Sequence, residues 1–230
     1  VYQTTEQREF FKPYLQENSR VIMNPVNQKY IELPDPDYEH QERCVVQSSR
    51  LVDFKNQEML LRAFAKVHAV HPDWSLKIYG PDSEDGTKEK LEEIIHANRA
   101  KDWMQLMGGT DRLEELIPKA AIYALPSNYE GMPNALMEAM AMGMPCISTD
   151  CPAGAPRVLI QDGVNGLLIP VGDEAAMTAA ILKLIENPEL RRSLGQEARK
   201  IREIAGTDEI YHQWKDYLEE VIREREGKKT

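Results

Sequence analysis

Residues 125–143, LPSNYEGMPNALMEAMAMG, decide the fold because they join the end of a buried strand, a turn and an apolar helix. Pro133 fits the first helical position, where its missing N–H costs nothing, and Gly143 fits the C-terminal cap. Elsewhere, short apolar runs alternate with helical periods, which is typical of a parallel sheet covered by helices. We therefore predict an α/β fold with a doubly wound parallel sheet and helices on both faces.

Six short apolar runs, bounded mostly by Gly, Pro, Ser or Asp, are predicted to form the buried strands of this sheet. They lie at residues 44–48, 76–79, 104–107, 122–125, 146–148 and 167–169. Apolar stripes at helical spacing predict packing helices at 56–71, 88–100, 174–186, from Pro188 onward, and at 207–223. The proline-rich residues 24–36 are predicted to form an extended linker.

Composition places the chain among ordinary soluble globular proteins. It has 230 residues, a formal charge of −10 and 42% apolar residues, which argues against disordered chains and against a broad nucleic-acid surface. Its three cysteines, Cys44, Cys146 and Cys151, lack metal-finger spacing and suit a reducing compartment, so we expect a cytoplasmic protein. The chain opens on Val1 rather than Met, and we expect it to be a piece of a longer protein.

Several familiar motifs are absent or incomplete. Residues 80–88, GPDSEDGTK, have one residue too many for a phosphate-binding P-loop, and no G-x-G-x-x-G follows a predicted strand. No H-E-x-x-H or G-x-S-x-G occurs, which argues against a zinc protease and a serine hydrolase. Asp35 and Asp37 form a D-x-D, but it falls in the proline-rich linker. We therefore predict no metal site.

Two carboxylates stand out around the apolar helix. Asn134 and Glu138 are its only polar residues and share one face, so Glu138 is predicted to be buried and to need either a basic partner or ligand hydroxyls. Glu130 lies eight residues earlier, in the loop that leads to the helix. Both acids can therefore face one crevice. The alternative is a solvated Glu130 and a Glu138 neutralised in a core ion pair, and spacing alone does not decide between the two.

Two basic residues follow the first predicted strand, where open α/β sheets bind ligands. Arg50 and Lys55 supply a guanidinium and an ammonium, and the helix that starts near Pro133 adds unpaired N–H groups. Such groups suit a diphosphate, and a carboxylate suits the vicinal diol of a ribose. The pattern predicts a sugar-nucleotide site, with Glu138 at the ribose and Glu130 beside the sugar. The alternative is that Arg50 and Lys55 are only solvated residues at the end of a strand and bind no ligand.

At these residues the sequence resembles the C-terminal half of a GT-B retaining glycosyltransferase of family 4, a Rossmann-like domain. The resemblance rests on several motifs in one order. These are SRL at 49–51 with KN at 55–56, the stretch 127–139 with its E-x7-E pair, G-x-P at 143–145 and DGVNGL at 162–167. It covers about 180 residues, and a set of independent motifs is more specific than any one of them.

The resemblance implies a domain that holds a nucleoside diphosphate sugar, with a UDP-hexose or UDP-N-acetylhexosamine favoured and with no cofactor or metal required. Arg50 and Lys55 match the pair that neutralises the leaving diphosphate, Glu130 the acid at the donor sugar and Glu138 the ribose ligand. The loop around the helix start is expected to approach sugar or phosphate, and two strand-end loops to line the base. Their residues are Gly131, Met132, Pro133, Asn134 and Ala135, then Gly80 and Met107.

The resemblance also divides the chain. Residues 1–24 match the end of an acceptor domain and the hinge, 25–206 the donor domain, and 207–230 a helix that returns to the missing half. That half is expected to bind a glycan or lipid-linked acceptor, so the isolated chain should not transfer sugar. Residues 150–157, DCPAGAPR, depart from the usual pattern at Ala155 and Arg157 and are closer to bacterial surface-polysaccharide enzymes.

The likeness to bacterial surface-polysaccharide enzymes is compatible with peripheral attachment of the full-length protein to the inner face of the plasma membrane. Two other functions also stay open. One is a nucleotide-sugar epimerase of the same architecture, and the other is a non-catalytic nucleotide-sugar-binding module.

Overall fold

The computed structural model describes residues 1–227, in which six parallel strands form one sheet of order β3-β2-β1-β4-β5-β6. The strands are β1 (Glu42–Ser48), β2 (Ser75–Tyr79), β3 (Met104–Gly108), β4 (Ala120–Leu125), β5 (Cys146–Thr149) and β6 (Leu167–Ile169). The order reverses between β1 and β4, which is where doubly wound sheets open a crevice for ligands. The predicted fold class is confirmed.

Helices cover both faces of the sheet. They are α1 (Thr5–Glu9), α2 (Pro13–Glu17), α3 (Gln28–Ile31), α4 (Gln57–Val70), α5 (Thr87–Ala97), α6 (Leu113–Leu116), α7 (Asn134–Ala141), α8 (Ala155–Leu159), α9 (Glu174–Glu186), α10 (Pro188–Ala198), α11 (Ile201–Ile204) and α12 (Thr207–Gly227). Short 3₁₀ turns lie at Asp53–Lys55 and Ile117–Lys119. Within residues 1–227 none of these helices combines the length and the apolar character that crossing a membrane requires.

The sheet is buried on both faces, which explains the short, continuously apolar strands. In β1, Val45 belongs to one core cluster with α4 and α9, while Val46 belongs to the opposite cluster with α7. In β4 the fully buried Tyr123 lies on the α7 side and Ile122 on the α4 side. The layered core therefore holds α7 firmly against the sheet.

Two local predictions need correction. The linker is not extended throughout, because Asn27 caps the short helix α3 by accepting a hydrogen bond from the Lys29 amide at 3.1 Å. Helix α7 begins at Asn134, so Pro133 stands at its cap position rather than inside it. Gly143 does follow the helix end, with a φ of +76° that a residue with a side chain rarely adopts.

Candidate functional site

The exits of the first three strands are joined by main-chain hydrogen bonds. Ser49 N–H donates to Tyr79 O at 3.0 Å, and Gly80 N–H donates to Gly108 O at 2.8 Å. A Cβ atom on Gly80 would lie 1.7 Å from Ser49 O, so only glycine allows these loops to approach so closely. The turn after β1 is thereby fixed beside the loops after β2 and β3.

A pocket of about 250 Å³ lies between these strand exits and the start of α7. Its lining residues are Ser48, Ser49, Arg50, Tyr79, Gly80, Pro81, Gly109, Thr110, Leu113, Asn134, Ala135 and Glu138. The amides of Asn134 and Ala135, which open α7, have no intrahelical acceptor and lie at the positive end of the helix dipole. Five residues selected from the sequence therefore meet here: Arg50, Gly80, Asn134, Ala135 and Glu138.

Glu138 is half-buried in the pocket wall and has no ion pair within 4.0 Å among the residues the structure describes. Burial raises the pKa of Glu138 to about 7, against the opposing effects of the Lys29 charge and of a hydrogen bond with the Tyr30 hydroxyl. The core ion pair considered from the sequence does not form in the described part of the chain. Glu138 is therefore a pocket acid whose charge no basic side chain of the described residues neutralises in an ion pair.

Glu130 is the more deeply buried acid, with 5% of its surface exposed. Its Oε1 lies 2.6 Å from Lys55 Nζ and accepts a second hydrogen bond from Ser127 Oγ, also at 2.6 Å. The alternative of a solvated loop acid is wrong. The structure instead joins Lys55 and Glu130, which the sequence had placed in different roles, into a single ion pair.

Two asparagines position this ion pair. Asn56 adopts a left-handed backbone with φ of +50° directly after the 3₁₀ turn that carries Lys55. Its side-chain amide donates to Asn128 Oδ1 at 2.9 Å, and Asn128 N–H donates to Phe54 O at 2.8 Å. An asparagine just before a predicted helix is a usable sequence signal for the left-handed Asn56, but the contact between Asn56 and Asn128 was not predicted.

A buried glutamine supports the turn that carries Arg50. The Gln57 side chain is 1% exposed, and its amide donates to Arg50 O at 2.9 Å and to Ser49 Oγ at 3.1 Å. Arg50 itself is exposed, and its guanidinium takes part in no ion pair among residues 1–227. The structure thus fixes the main chain of this turn and leaves its cation available to a ligand. Gln57 was not recognised in the sequence.

The segment between the two acids also contacts the N-terminal residues. Met132 and Pro133 are buried, and a Cβ atom on Gly131 would lie 3.4 Å from Gln7 Nε2. Asn24 donates to Asn134 Oδ1 at 2.7 Å. The beginning of the chain therefore packs beside the acid-bearing loop.

Arg157, which departs from the usual family pattern, contacts two acidic side chains and does not line the pocket. Its Nε lies 2.7 Å from Asp150 Oδ1, and its Nη1 lies 3.6 Å from Glu6 Oε2. Nearby, Thr4 Oγ1 donates to Ala153 O at 2.9 Å. The unusual 150–157 segment is therefore tied to the N-terminal residues.

Six of the residues selected from the sequence do not line this pocket: Lys55, Met107, Glu130, Gly131, Met132 and Pro133. Strand β3 continues through Gly108, so Met107 remains within the strand and its side chain is 43% exposed. It lines a separate depression with α5 residues such as Glu89 and His96. Gly109 and Thr110 line the pocket in its place. No three His, Cys, Asp or Glu side chains gather as a metal cluster in the described chain.

Comparisons with known proteins agree with this architecture. The family model described as "Glycosyl transferases group 1" matches residues 33–201. The chain is 30% identical over 224 residues to the GtfA subunit of UDP-N-acetylglucosamine–peptide N-acetylglucosaminyltransferase from Streptococcus pneumoniae serotype 4, covering 94% of this chain and 43% of the relative.

Two solved structures are similar over nearly the whole chain. The pneumococcal O-GlcNAc transferase GtfA in complex with UDP and GlcNAc superposes with a TM-score of 0.79 at 28% identity, covering 96% of this chain and 44% of that one. S. aureus TarM in complex with Fondaparinux, α-GlcNAc-glycerol and UDP gives 0.81 at 25% identity, covering 94% and 43%. The chain thus spans less than half the length of these relatives. It belongs to the group 1 glycosyl transferases, and its sheet and helices form a GT-B-type domain.

Proposed function

We propose that this chain is the donor-binding half of a retaining glycosyltransferase of family 4 and of the bacterial surface-polysaccharide type. It holds a nucleoside diphosphate sugar, with UDP favoured, for transfer of a hexosyl or N-acetylhexosaminyl unit to a glycan or lipid-linked acceptor. One observation carries the proposal. The pocket brings Arg50, the first turn of α7 and Glu138 together at the carboxyl ends of the strands.

The diphosphate is assigned to Arg50, Lys55 and the helix start. Arg50 is exposed and unpaired within the described residues, so its planar guanidinium can bind phosphate oxygens in a bidentate manner. The Lys55 ammonium has three N–H donors and uses one on Glu130, which leaves two for a ligand. The first-turn amides at Asn134 and Ala135 add positive potential.

The two acids are assigned to the two sugars of the donor. Glu138 lines the pocket without an ion pair in the described chain, and its carboxylate accepts hydrogen bonds from the ribose hydroxyls. Glu130 lies beside the donor sugar, where its ion pair with Lys55 connects sugar and diphosphate contacts. Gly80 lets the loops after β1 and β2 approach closely enough to form the base end of the pocket.

The chemical contribution of these groups is to stabilise the leaving diphosphate. As the bond between the anomeric carbon and the phosphate oxygen breaks, negative charge grows on that oxygen. Fixed cations and amide dipoles stabilise this charge without having to reorganise. Arg50, Lys55 and the α7 start supply them here, so we propose that transfer needs no metal ion.

The relatives favour a uridine nucleotide and an N-acetylhexosamine. The pneumococcal GtfA structure holds UDP and GlcNAc, and the TarM structure holds UDP. Because the chain spans less than half of those proteins, acceptor binding is assigned to the remainder of a longer protein. A cytoplasmic location and peripheral contact with the membrane remain predictions for that longer protein.

Calorimetry of the chain against UDP, GDP and ADP, with and without Mg²⁺, tests the proposed donor. We expect UDP to bind most tightly, with an affinity that Mg²⁺ leaves unchanged. Equal binding of the three nucleotides would retain a nucleotide site but reject the uridine preference. Loss of binding when Mg²⁺ is chelated would reject metal independence.

Variants locate the site. Arg50→Ala and Glu138→Ala should each weaken UDP binding by about tenfold or more, because each removes a charge-assisted hydrogen bond. Arg43→Ala is the matched control, since Arg43 is an exposed arginine at the other end of β1. UDP affinity unchanged in Arg50→Ala would show that the diphosphate lies elsewhere.

Product analysis of the longer protein separates the enzyme classes. Retained anomeric configuration in a new glycoside supports the retaining transferase, whereas release of an epimerised free sugar supports an epimerase. Donor binding without transfer or hydrolysis supports a binding module. The present chain alone should bind the donor without transferring it.

A further inference from the structure

Helix α3, which was not predicted from the sequence, is held against α7, the helix that carries Glu138, by hydrogen bonds from Arg202. Arg202 Nη2 donates to Tyr30 O at 2.9 Å, while its Nε donates to Ala141 O, at the end of α7, at 2.7 Å. Tyr30 is 4% exposed and shares a core cluster with the buried face of α7. Helix α3 packs directly against α7, and the Tyr30 hydroxyl lowers the pKa of the Glu138 carboxyl group against the effect of burial. The tyrosine is therefore fixed beside the pocket acid.

Lys29 connects the same helix to another wall of the pocket. Its Nζ lies 2.7 Å from Glu114 Oε2 and 3.2 Å from Asp111 O, both in the segment after β3. That segment contributes Gly109, Thr110 and Leu113 to the pocket lining. The ammonium also lies 4.9 Å from the centroid of the Tyr30 ring, within range of a cation–π interaction. One lysine thus contacts both the tyrosine and the pocket wall.

We propose that Tyr30 and Lys29 are positioning residues for Glu138: Tyr30 orients the carboxylate toward the ribose hydroxyls, and Lys29 holds the 109–113 wall against it. This inference deepens the proposed function and rests on Glu138 being the ribose ligand. Neither residue needs to touch the nucleotide. Their contribution is to keep the acid ionised and correctly oriented in a site that burial makes unfavourable for charge.

The groups around Glu138 give the expected pH dependence. Lys29 and Tyr30 on α3 lower its pKa against the effect of burial, and the Glu114 charge raises it. Tyr123 on β4 is also within electrostatic range, and Arg50 lies on another wall of the pocket. Removing the Tyr30 hydroxyl or the Lys29 charge should therefore raise the pH at which Glu138 ionises.

The first experiment needs no ligand. Carbon-13 NMR of the side-chain carboxyl follows the ionisation of Glu138 in the wild type and in Tyr30→Phe and Lys29→Met. We expect both variants to raise the midpoint by roughly half a pH unit or more, because a stabilising interaction of the charged form is lost. Tyr14→Phe and Lys90→Met, at exposed positions on α2 and α5, are the matched controls. Midpoints equal to the wild type in both site variants would overturn the proposal.

The second experiment measures binding of UDP-N-acetylglucosamine between pH 6 and 9, since its diphosphate does not change ionisation in this range. Wild-type affinity should rise with pH as Glu138 ionises. Tyr30→Phe should lose about fivefold at pH 7 and recover part of that loss at pH 9. It should also discriminate less against the 2′-deoxyribose analogue.

A purely structural role for Tyr30 predicts a different result. Affinity would then fall equally for both nucleotides and at every pH, which would contradict the positioning role. Failure of the wild type to bind any UDP-sugar would instead overturn the proposed function. In that case the NMR midpoints still decide whether Tyr30 and Lys29 act on Glu138.

Discussion

The two acids of the E-x7-E pair occupy opposite environments. Glu130 is almost fully buried and is satisfied by Lys55 and Ser127. Glu138 is only half-buried, yet it has no ion pair in the described chain, and burial raises its pKa to about 7. Depth of burial alone therefore does not determine the state of a carboxylate. The decisive difference is whether the protein itself supplies a cation within hydrogen-bonding distance.

This contrast suggests different tasks for the two acids. A paired, buried carboxylate is rigid and serves to hold Lys55 in place as much as to contact a ligand. An acid without an ion pair in a pocket wall destabilises the free protein. A ligand that hydrogen-bonds to this acid can offset that loss of stability. The comparison therefore makes distinct predictions for stability at the two positions.

The largest effect is expected from breaking the Lys55–Glu130 pair. Lys55→Met leaves a buried carboxylate without its cation and should lower the free energy of unfolding by about 3 kcal/mol at pH 7, measured by urea denaturation. Glu130→Gln in the same background should restore part of this loss, because no charge then remains buried. Lys66→Met is the control. Its Nζ pairs with Glu174 at 2.7 Å on the surface, so it should cost about 1 kcal/mol or less. Equal losses in the two lysine variants would contradict the distinction between buried and surface pairs.

A smaller effect of opposite sign is expected at Glu138. Its pKa is about 7 in the folded protein, against an ordinary value of 4.5. The folded state therefore binds more protons between these values, and wild-type stability falls as pH rises through this window. Glu138→Gln should be more stable than the wild type at pH 8, by on the order of 2 kcal/mol, and no more stable at pH 4.

Thermal and urea unfolding across this pH range measure the Glu138 effect. Glu89→Gln, at an exposed position on α5, is the control and should show no such pH-dependent gain. A Glu138→Gln variant that is less stable than the wild type at pH 8 would mean that the carboxylate is already satisfied within the protein.

The smallest effect concerns the turn that presents Lys55. Asn56 has a φ of +50°, so Asn56→Ala should be less stable than Asn56→Gly by about 1 kcal/mol, since alanine is strained in the left-handed region. Both variants lose the side-chain contact to Asn128, so the difference between their stabilities isolates the backbone contribution.

The pH dependence of Glu138 ionisation should be the same in both variants. A shift there would show that the two acids are coupled rather than independent.

Much of the fold could be predicted because its signals are local. The apolar runs of β1 and β4 and the alternation with helical periods specify a parallel sheet buried on both faces. Helix α3 was missed because it has only four residues and depends on the Asn27 cap and on tertiary contacts from Arg202. Met107 was misplaced because β3 runs one residue further than predicted, to Gly108, so that Gly109 and Thr110 form the loop that reaches the pocket.

The sequence by itself determined which chemical groups gather at the carboxyl edge of the sheet. Strand ends, turn residues and helix starts are encoded locally, and parallel strands place their carboxyl ends together. Only the tertiary structure decided how those groups pair. Lys55 reaches Glu130 because the turn after β1 is hydrogen-bonded to the loop after β4. Glu138 has no such basic partner in the described residues. Pairing depends on distances of a few ångströms between segments far apart in the chain, and no spacing along the sequence fixes those distances.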